Sequence, residues 1–215
     1  MRQAVVARLR AARPDARIIH EINISTYGTV RMDLICVSDA EIIAVEIKSA
    51  KDKLDRLPKQ IAAMHGCAHH VIAALHEKHL VEQETNEHVA HEIRDGKFYL
   101  VRDPVEASRA VLWAYPQRRR MLRSDGHDSL EHWAVPSIPF QTSLPAAALD
   151  LLWRDELAWL CGRLGIPSGR SSRMNEMVTA LRWHCTGAEL TKGICAALRL
   201  RQCVEADPPI LEQAA

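Results

Sequence analysis

Two short apolar runs joined by a polar turn constrain the fold of this chain most. They read RMDLICV at residues 31–37 and AVEIKSA at residues 44–50, with the turn at residues 38–40. Each run has the length of a strand, and so short a connection joins antiparallel neighbours. Along the second strand, Glu46 and Lys48 share a face because side chains two positions apart point the same way. Such a pair is either an exposed ion pair or part of a reaction centre.

Composition limits the classes of protein to consider. The chain has 215 residues, of which 47% are hydrophobic and 26% are charged, as in ordinary globular proteins. A net charge of +1 means that any contact with nucleic acid must come from local patches. Six cysteines without a CxxC motif predict reduced thiols and a cytoplasmic location. No membrane span and no nucleotide cofactor are expected, because long apolar runs and glycine-rich phosphate loops are absent from the sequence.

Hydrophobic periodicity predicts an α/β arrangement in the first part of the chain. The predicted elements are a helix over 2–12, strands over 17–24, 30–37 and 41–48, a helix over 51–65 capped by Asp52, and a strand over 69–75. The first three strands form an antiparallel meander, and the strand after the crossover helix is expected to run parallel to the strand before it. A polar helix is expected over 76–92, followed by a hairpin at Asp95-Gly96.

The pattern changes after residue 115, which predicts a division of the chain. Residues 1–115 form the α/β core, and residues 116–144 are a linker or loop rich in proline and arginine. Residues 145–203 have helical spacing throughout, and residues 204–215 are expected to be a flexible tail. The predicted fold is α/β, a mixed sheet flanked by helices, with a C-terminal helical region.

Three residues of the strand pair carry a chemical pattern, Asp33-x(12)-Glu46-x-Lys48. Two carboxylates held close together repel each other unless a cation lies between them, and hard oxygen ligands favour Mg²⁺ or Mn²⁺. A lysine beside such an ion stabilises charge on a phosphate. The pattern is typical of metal-assisted phosphodiester hydrolysis.

The surrounding residues extend this pattern to a family resemblance. The stretch from residue 31 to residue 60 contains Arg-x-Asp, then Glu-Ile-Lys-Ser, then Asp-x-Leu-x-Arg-Leu-x-x-Gln. It resembles the PD-(D/E)xK nuclease superfamily, which has a restriction-endonuclease-like fold, and in particular a small bacterial and phage branch of it. The resemblance is tight over residues 19–75 and loose elsewhere, and Met32 replaces the usual proline before the aspartate.

The resemblance implies roles for individual residues. Asp33 and Glu46 become metal ligands, and the backbone carbonyl of Ile47 supplies another. Lys48 becomes the catalytic lysine, and Gln60 a polar supporting residue on the following helix. The implied cofactor is Mg²⁺ or Mn²⁺.

Members of the superfamily often have an additional acid before the aspartate, commonly on the first helix. Residues 2–12 contain no acid, so Glu21 on the first strand is the candidate for a further metal ligand. Glu21 reaches the site only if it pairs near Asp33, and the sequence leaves this open.

Basic residues in three parts of the chain are candidates for contacts with nucleic acid. They are Lys51, Arg56, Arg118, Arg119, Arg120, Arg170 and Arg173. The last two lie in a segment that resembles the helix-turn-helix layout of SAP-like DNA-binding modules, near the start of its second helix. The alternative is a helical cap that packs Trp153, Trp159 and Trp183 on the α/β core.

The predicted function is a Mg²⁺- or Mn²⁺-dependent nuclease acting on duplex or branched DNA, in phage or mobile-element processing, repair or defence. A catalytically inactive DNA-binding or nuclease-modulating protein of the same fold is the alternative, and RNA cleavage is a third hypothesis. Endonuclease or exonuclease action, sequence specificity and oligomeric state, a homodimer included, are left open by the sequence.

Overall fold

The fold is seen in a computed structural model, which describes residues 1–24, 30–90, 92–116, 133–138, 142–169 and 171–211. The α-helices are α1 (Arg2–Ala12), α2 (Leu57–His65), α3 (Arg154–Arg163), α4 (Met174–His184) and α5 (Gly187–Leu200). The strands are β1 (Arg17–Ile24), β2 (Val30–Val37), β3 (Ile42–Lys48), β4 (His70–His76), β5 (Val81–Thr85), β6 (Glu92–Arg94), β7 (Lys97–Arg102) and β8 (Val111–Tyr115).

A five-stranded mixed sheet with the order β1-β2-β3-β4-β8 forms the centre of the molecule. The first three strands are antiparallel, whereas β3, β4 and β8 run parallel. The predicted α/β fold with its mixed sheet and C-terminal helices is confirmed. The meander and the parallel pairing of β3 with β4 are as predicted, since α2 provides the crossover that parallel neighbours require.

Both faces of the sheet are covered, which explains why its strands are apolar on both sides. In β3, Ile42 and Ala44 belong to the core cluster shared with α2 and the C-terminal helices. Ile43 and Val45 belong to a second cluster with α1 on the opposite face. Charged side chains in the middle of such a strand need a specific partner, because burying an unpaired charge is costly.

The helix predicted over 51–65 begins later, at Leu57. Pro58 lies in its first turn, where the missing N–H of proline costs nothing. Asp52 does not cap this helix; its Oδ2 accepts a hydrogen bond of 2.6 Å from the backbone N–H of Ser49. The loop from Ser49 to Arg56 therefore precedes the helix and borders the end of β3.

The helix predicted over 76–92 is wrong. This polar segment forms β5 between two short 3₁₀ turns, Glu77–His79 and Glu87–Val89. A helix here would lack an apolar stripe to bury, whereas β5 gains a backbone partner in β7. The hairpin at Asp95-Gly96 is confirmed, with φ angles of 47° and 73°, and joins β6 to β7 in a small sheet with the order β5-β7-β6.

The C-terminal helices complete the core. Their leucines pack in the same cluster as β1 and β2. Arg17 of β1 is fully buried, and its Nη1 donates to the carbonyl oxygens of Leu198 and Arg199 at the end of α5. The last carbonyl groups of a helix have no partner within the helix, and Arg17 supplies hydrogen-bond donors for two of them. This arginine therefore links the end of α5 to the sheet.

The segments predicted as a linker and a tail are attached to the sheet where they are described. Trp133 is buried and stacks on Trp113, with ring centroids 5.0 Å apart. The predicted tail is bound at its start, since Asp207 exchanges backbone and side-chain hydrogen bonds with Ile18 of β1. In both places long-range contacts, which local composition does not encode, hold the chain. Among the described residues, no helix has the length and apolarity to cross a membrane.

Candidate active site

A cleft of about 1110 Å³ opens where β2 begins and β3 ends, beside the start of α2. Its lining residues are Arg2, Asn23, Val30, Arg31, Asp33, Glu46, Ile47, Lys48, Ser49, Asp52, Arg56, Lys59 and Gln60. The cleft thus brings together all the residues for which the sequence predicted a catalytic role, together with the Ile47 position. Their roles stay predictions.

Asp33 lies where the backbone pairing of β2 with β3 stops. The last pair on this side is Leu34 with Val45. Asp33 then accepts a hydrogen bond of 2.8 Å at Oδ2 from the backbone N–H of Ile47. The side chain of Asp33 therefore takes the place of the next backbone hydrogen bond between β2 and β3. The two strands separate beyond this point, and the space between them becomes part of the cleft.

The face alternation of β1 and β2 is interrupted at the level of this side chain. Ile19 and Ile22 pack in one core cluster although they are three positions apart, and so do Met32 and Ile35. Residues two apart share a face in a regular strand, so each strand has a local distortion here. In β1 it coincides with the positive φ angle of Glu21, 57°.

Glu46, Lys48 and Gln60 form a compact hydrogen-bonded triangle. The Oε1 atom of Glu46 accepts bonds of 2.5 Å from Lys48 Nζ and 2.5 Å from Gln60 Nε2. Lys48 Nζ also donates to Gln60 Oε1 at 2.9 Å. Only 3% of Glu46 and 7% of Lys48 are exposed, so this is not the solvated ion pair that the sequence pattern equally allowed.

The Glu46 carboxyl is unusually hard to ionise. Its burial, and after that the charge of Asp33, raises the pKa of Glu46 from 4.5 to about 7. Hydrogen bonds from Lys48 and Gln60 act in the opposite direction without cancelling this effect. The Oε2 atom of Glu46 is buried and has no hydrogen-bond partner among the residues that the structure describes. A cation at this oxygen would satisfy it.

The oxygen atoms of Asp33, Glu46 and the Ile47 carbonyl are of the kind that an ion with six oxygen ligands, such as Mg²⁺, prefers. Mg²⁺ is commonly held by one or two carboxylates and completes its shell with water and phosphate oxygens. Within the described part of the chain no group of three or more His, Cys, Asp or Glu side chains is arranged to hold a metal. Asp33, Glu46 and the Ile47 carbonyl would therefore be a minimal set of protein ligands, open to a substrate.

Glu21 lies opposite Asp33 in the pairing of β1 with β2, between the pairs His20–Leu34 and Ile22–Met32. Its carboxylate is engaged by two arginines, with Oε1 2.9 Å from Arg2 Nη2 and Oε2 2.8 Å from Arg31 Nε. Glu21 therefore reaches the neighbourhood of Asp33, as the prediction required, but its described contacts are with arginines.

Arg2 is the site residue that sequence reasoning missed. Its Nη2 atom contacts Glu21 Oε1 at 2.9 Å and Asp33 Oδ1 at 3.1 Å. Nothing in the local pattern of α1 indicates this, because the contact joins residues 31 positions apart and depends on how α1 packs beside the sheet.

The basic residues predicted to contact nucleic acid lie in different parts of the structure. Arg56 lines the cleft, and so does Lys59, which the sequence analysis had not selected. Lys51 is exposed in the loop after β3. Arg118, Arg119, Arg120 and Arg170 lie outside the described residues. Arg173 is exposed at the start of α4 and is not among the residues that line the cleft.

The C-terminal helices pack on the core with their leucines, not with their tryptophans. Trp153, Trp159 and Trp183 are 55%, 36% and 84% exposed. The prediction of a cap that buries these three rings is therefore wrong, because Leu157 and Leu181 occupy the inward positions instead. The region covers the sheet and still presents aromatic side chains to the solvent.

Comparison with known proteins shows one similarity. The model of the bacteriophage P4 protein cII family matches residues 1–94. No curated protein and no solved structure matches the chain. The matched part contains β1, β2, β3 and α2, and with them every residue of the cleft lining, so the site lies within the part of the chain that is similar to a phage protein family.

Proposed function

We propose that this protein is a Mg²⁺- or Mn²⁺-dependent nuclease that hydrolyses phosphodiester bonds of DNA. One observation carries the proposal: a buried carboxylate with an unsatisfied oxygen, Glu46, lies beside Asp33 and is bonded to a buried lysine, Lys48, in an open cleft. An ordinary structural ion pair would not leave a buried carboxylate oxygen without a partner.

The substrate would be a polyanion, since the cleft wall is rich in cations. Arg31, Arg56 and Lys59 line it in addition to Lys48. Basic side chains around a cleft neutralise phosphates and position a nucleic acid without reading its sequence. The similarity to a bacteriophage protein family supports the phage setting of this proposal.

In the proposed reaction each side chain has a distinct task. Asp33 and Glu46, with the Ile47 carbonyl, would hold the ion. The ion would supply Lewis-acid chemistry, neutralising phosphate charge and acidifying a water molecule. Lys48 would direct its positive charge at the reacting phosphate, where burial makes a charge more effective than in water. Gln60 fixes both Glu46 and Lys48, so that neither must reorganise when substrate arrives.

A catalytically inactive DNA-binding or nuclease-modulating protein is the second candidate. It is favoured by the contacts of Asp33, whose two oxygens are both hydrogen-bonded by the chain itself, at Oδ1 to Arg2 and at Oδ2 to Ile47. A site in which internal cations replace the metal would keep the cleft and lose the reaction.

The test is a cleavage assay with linear, circular and branched DNA and with RNA, each in Mg²⁺, Mn²⁺ or EDTA. Glu46→Gln and Lys48→Ala should each lower the rate by at least about 100-fold, the scale of losing one preorganised electrostatic group. Gel shifts in EDTA should show that both variants still bind DNA.

Matched controls come from an exposed pair in the small sheet. Glu84 and Lys97 are 3.1 Å apart and both 59% exposed, so Glu84→Gln and Lys97→Ala make the same chemical changes without touching the cleft. Their rates should equal that of the wild type. DNA binding without cleavage under any condition, equal in all variants, would establish the second candidate; cleavage of RNA alone would replace DNA as the substrate.

A further inference from the structure

One guanidinium nitrogen joins two acids at the edge of the cleft. Arg2 Nη2 is 2.9 Å from Glu21 Oε1 and 3.1 Å from Asp33 Oδ1. Arg2 is the first residue of α1, and 41% of its side chain is exposed. Its other terminal nitrogen, Nη1, makes two longer contacts of 3.4 Å, with His20 Nδ1 and the backbone oxygen of Asp33. Arg2 can therefore move away from Asp33 Oδ1 without breaking the core.

The four oxygens of Asp33 and Glu46 differ in how firmly they are engaged. Asp33 Oδ2 holds the backbone of Ile47, and Glu46 Oε1 holds Lys48 and Gln60 in a buried arrangement. Glu46 Oε2 has no partner among the described residues.

Asp33 Oδ1 is bound only by the half-exposed Arg2 among the contacts the structure describes. An ion bridging the two carboxylates would use the free oxygen of Glu46 and take Oδ1 from Arg2. Releasing this partly exposed ion pair costs less than disrupting either of the more deeply buried sets of bonds.

We propose that Arg2 is an internal counter-cation that holds Asp33 while no divalent ion is bound and yields Oδ1 when one binds. Glu21 is the residue that keeps Arg2 at the site and is not itself a metal ligand. This inference rests on the proposed metal-dependent function and deepens it, because it says what the ion must displace.

The geometry around Glu21 supports its role as the residue that keeps Arg2 at the site. Arg31 engages its other oxygen, Oε2, at 2.8 Å, so both oxygens of this carboxylate face arginines. Its positive φ of 57° is unusual for a residue with a side chain and occurs within the edge strand β1. After release from Asp33, Arg2 stays tethered to Glu21 at the cleft, where phosphate oxygens of a bound nucleic acid are its next partners.

The test is Mn²⁺ binding to the full chain by isothermal titration calorimetry, with the metal alone as the probe. Removing the competing charge by Arg2→Gln or Arg2→Met should tighten Mn²⁺ binding by about 3- to 10-fold, the change in affinity expected when a partly exposed ion pair no longer has to be broken. Arg2→Lys retains the charge and should bind as the wild type does. Asp33→Asn should weaken binding by at least about 10-fold, since a charged ligand is lost.

The control is Arg10→Gln, which removes an arginine of the same helix that pairs with Asp207 outside the cleft. It should leave Mn²⁺ affinity unchanged. In the Arg2→Gln background, Glu21→Gln should change the affinity by less than about threefold, whereas loss of a true ligand would weaken it much more.

The outcomes distinguish a failure of the counter-cation inference from a failure of the proposed metal-dependent function. If the wild type binds Mn²⁺ through Asp33 and both neutral Arg2 variants bind equally well, the counter-cation inference is overturned and the metal site stands. If Glu21→Gln abolishes binding in the Arg2→Gln background, Glu21 is a ligand and its tethering role is overturned. If no variant binds Mn²⁺, the metal-dependent function fails together with the inference.

Discussion

The carboxylate of Asp33 and the backbone N–H of Ile47 are joined by a hydrogen bond of 2.8 Å across the ends of β2 and β3. Ile47 lies between Glu46 and Lys48, so this bond sets the position of both side chains relative to Asp33. Asp33 thus binds the backbone of Ile47 with Oδ2 and the partly exposed side chain of Arg2 with Oδ1.

This dual role predicts different results for two substitutions of Asp33. Asp33→Asn keeps an acceptor for the Ile47 N–H and should change the free energy of unfolding by less than about 1 kcal/mol. Asp33→Ala leaves that N–H unpaired and should cost about 1–3 kcal/mol. Urea denaturation in EDTA measures both. Both variants should lose cleavage, because each lacks the charge, and equal stability of the two would contradict the structural contact.

The raised pKa of Glu46 predicts a pH-dependent stability difference. Because the folded-state pKa of about 7 exceeds the ordinary value of 4.5, folding favours the protonated carboxyl. This contribution is fully present below pH 4.5 and is lost as the pH rises through 7. Glu46→Gln does not ionise, so its stability relative to the wild type should grow between pH 5 and pH 8, by on the order of 3 kcal/mol.

The measurement is urea unfolding of wild type and Glu46→Gln in EDTA at several pH values. Asp33, Lys48 and Gln60 are the groups facing this carboxyl, and they are the same in both proteins. The exposed Glu84→Gln variant should show no such trend. A difference between Glu46→Gln and wild type that stays constant with pH would refute the prediction.

A buried ion pair should hold the C-terminal helices together. Arg201 is 4% exposed and binds both carboxylate oxygens of Glu156, at 2.6 and 2.5 Å. Arg201→Ala removes the cation from a partly buried carboxylate, which keeps, among its described contacts, only the hydrogen bond from the backbone N–H of Trp153, and should destabilise the protein by about 2–4 kcal/mol. Thermal unfolding compares it with Lys192→Ala, an exposed residue of α5 that should change little. Equal melting temperatures would mean that this pair is not needed for stability.

The C-terminal region gives a separate prediction about DNA. Arg173 is exposed at the N-cap of α4, next to the backbone N–H groups of the first turn. If this end binds phosphates, Arg170→Ala with Arg173→Ala should weaken binding uniformly across DNA sequences and reduce the salt slope by about 2. Arg182→Ala, at the opposite end of the same helix, is the control for fluorescence-anisotropy titrations. Unchanged affinity would leave the region as a packing layer.

The local sequence pattern is sufficient to predict elements that have a clear hydrophobic alternation and a recognisable turn. The strands around Asp33 and Glu46, the shared face of Glu46 and Lys48, and the Asp95-Gly96 hairpin all follow from spacing of two residues and from turn chemistry. The polar segment that forms β5 is predicted as a helix from its sequence. The prediction fails because this strand depends on pairing with β7, and the sequence of β5 itself carries no sign of that partner.

Spacing along the chain is thus enough to predict which side chains share a strand face and that β1, β2 and β3 form a meander, since both depend on neighbours close in sequence. The place of β8 is different, because its partner β4 is distant along the chain. Contacts between distant segments determine that Glu46 and Lys48 are buried, that Gln60 bonds to both of them, and that Arg2 reaches Asp33. Burial and long-range partners depend on how helices pack over the sheet. The same packing turned the tryptophans of the C-terminal helices outward, because the leucines between them fill the available core volume.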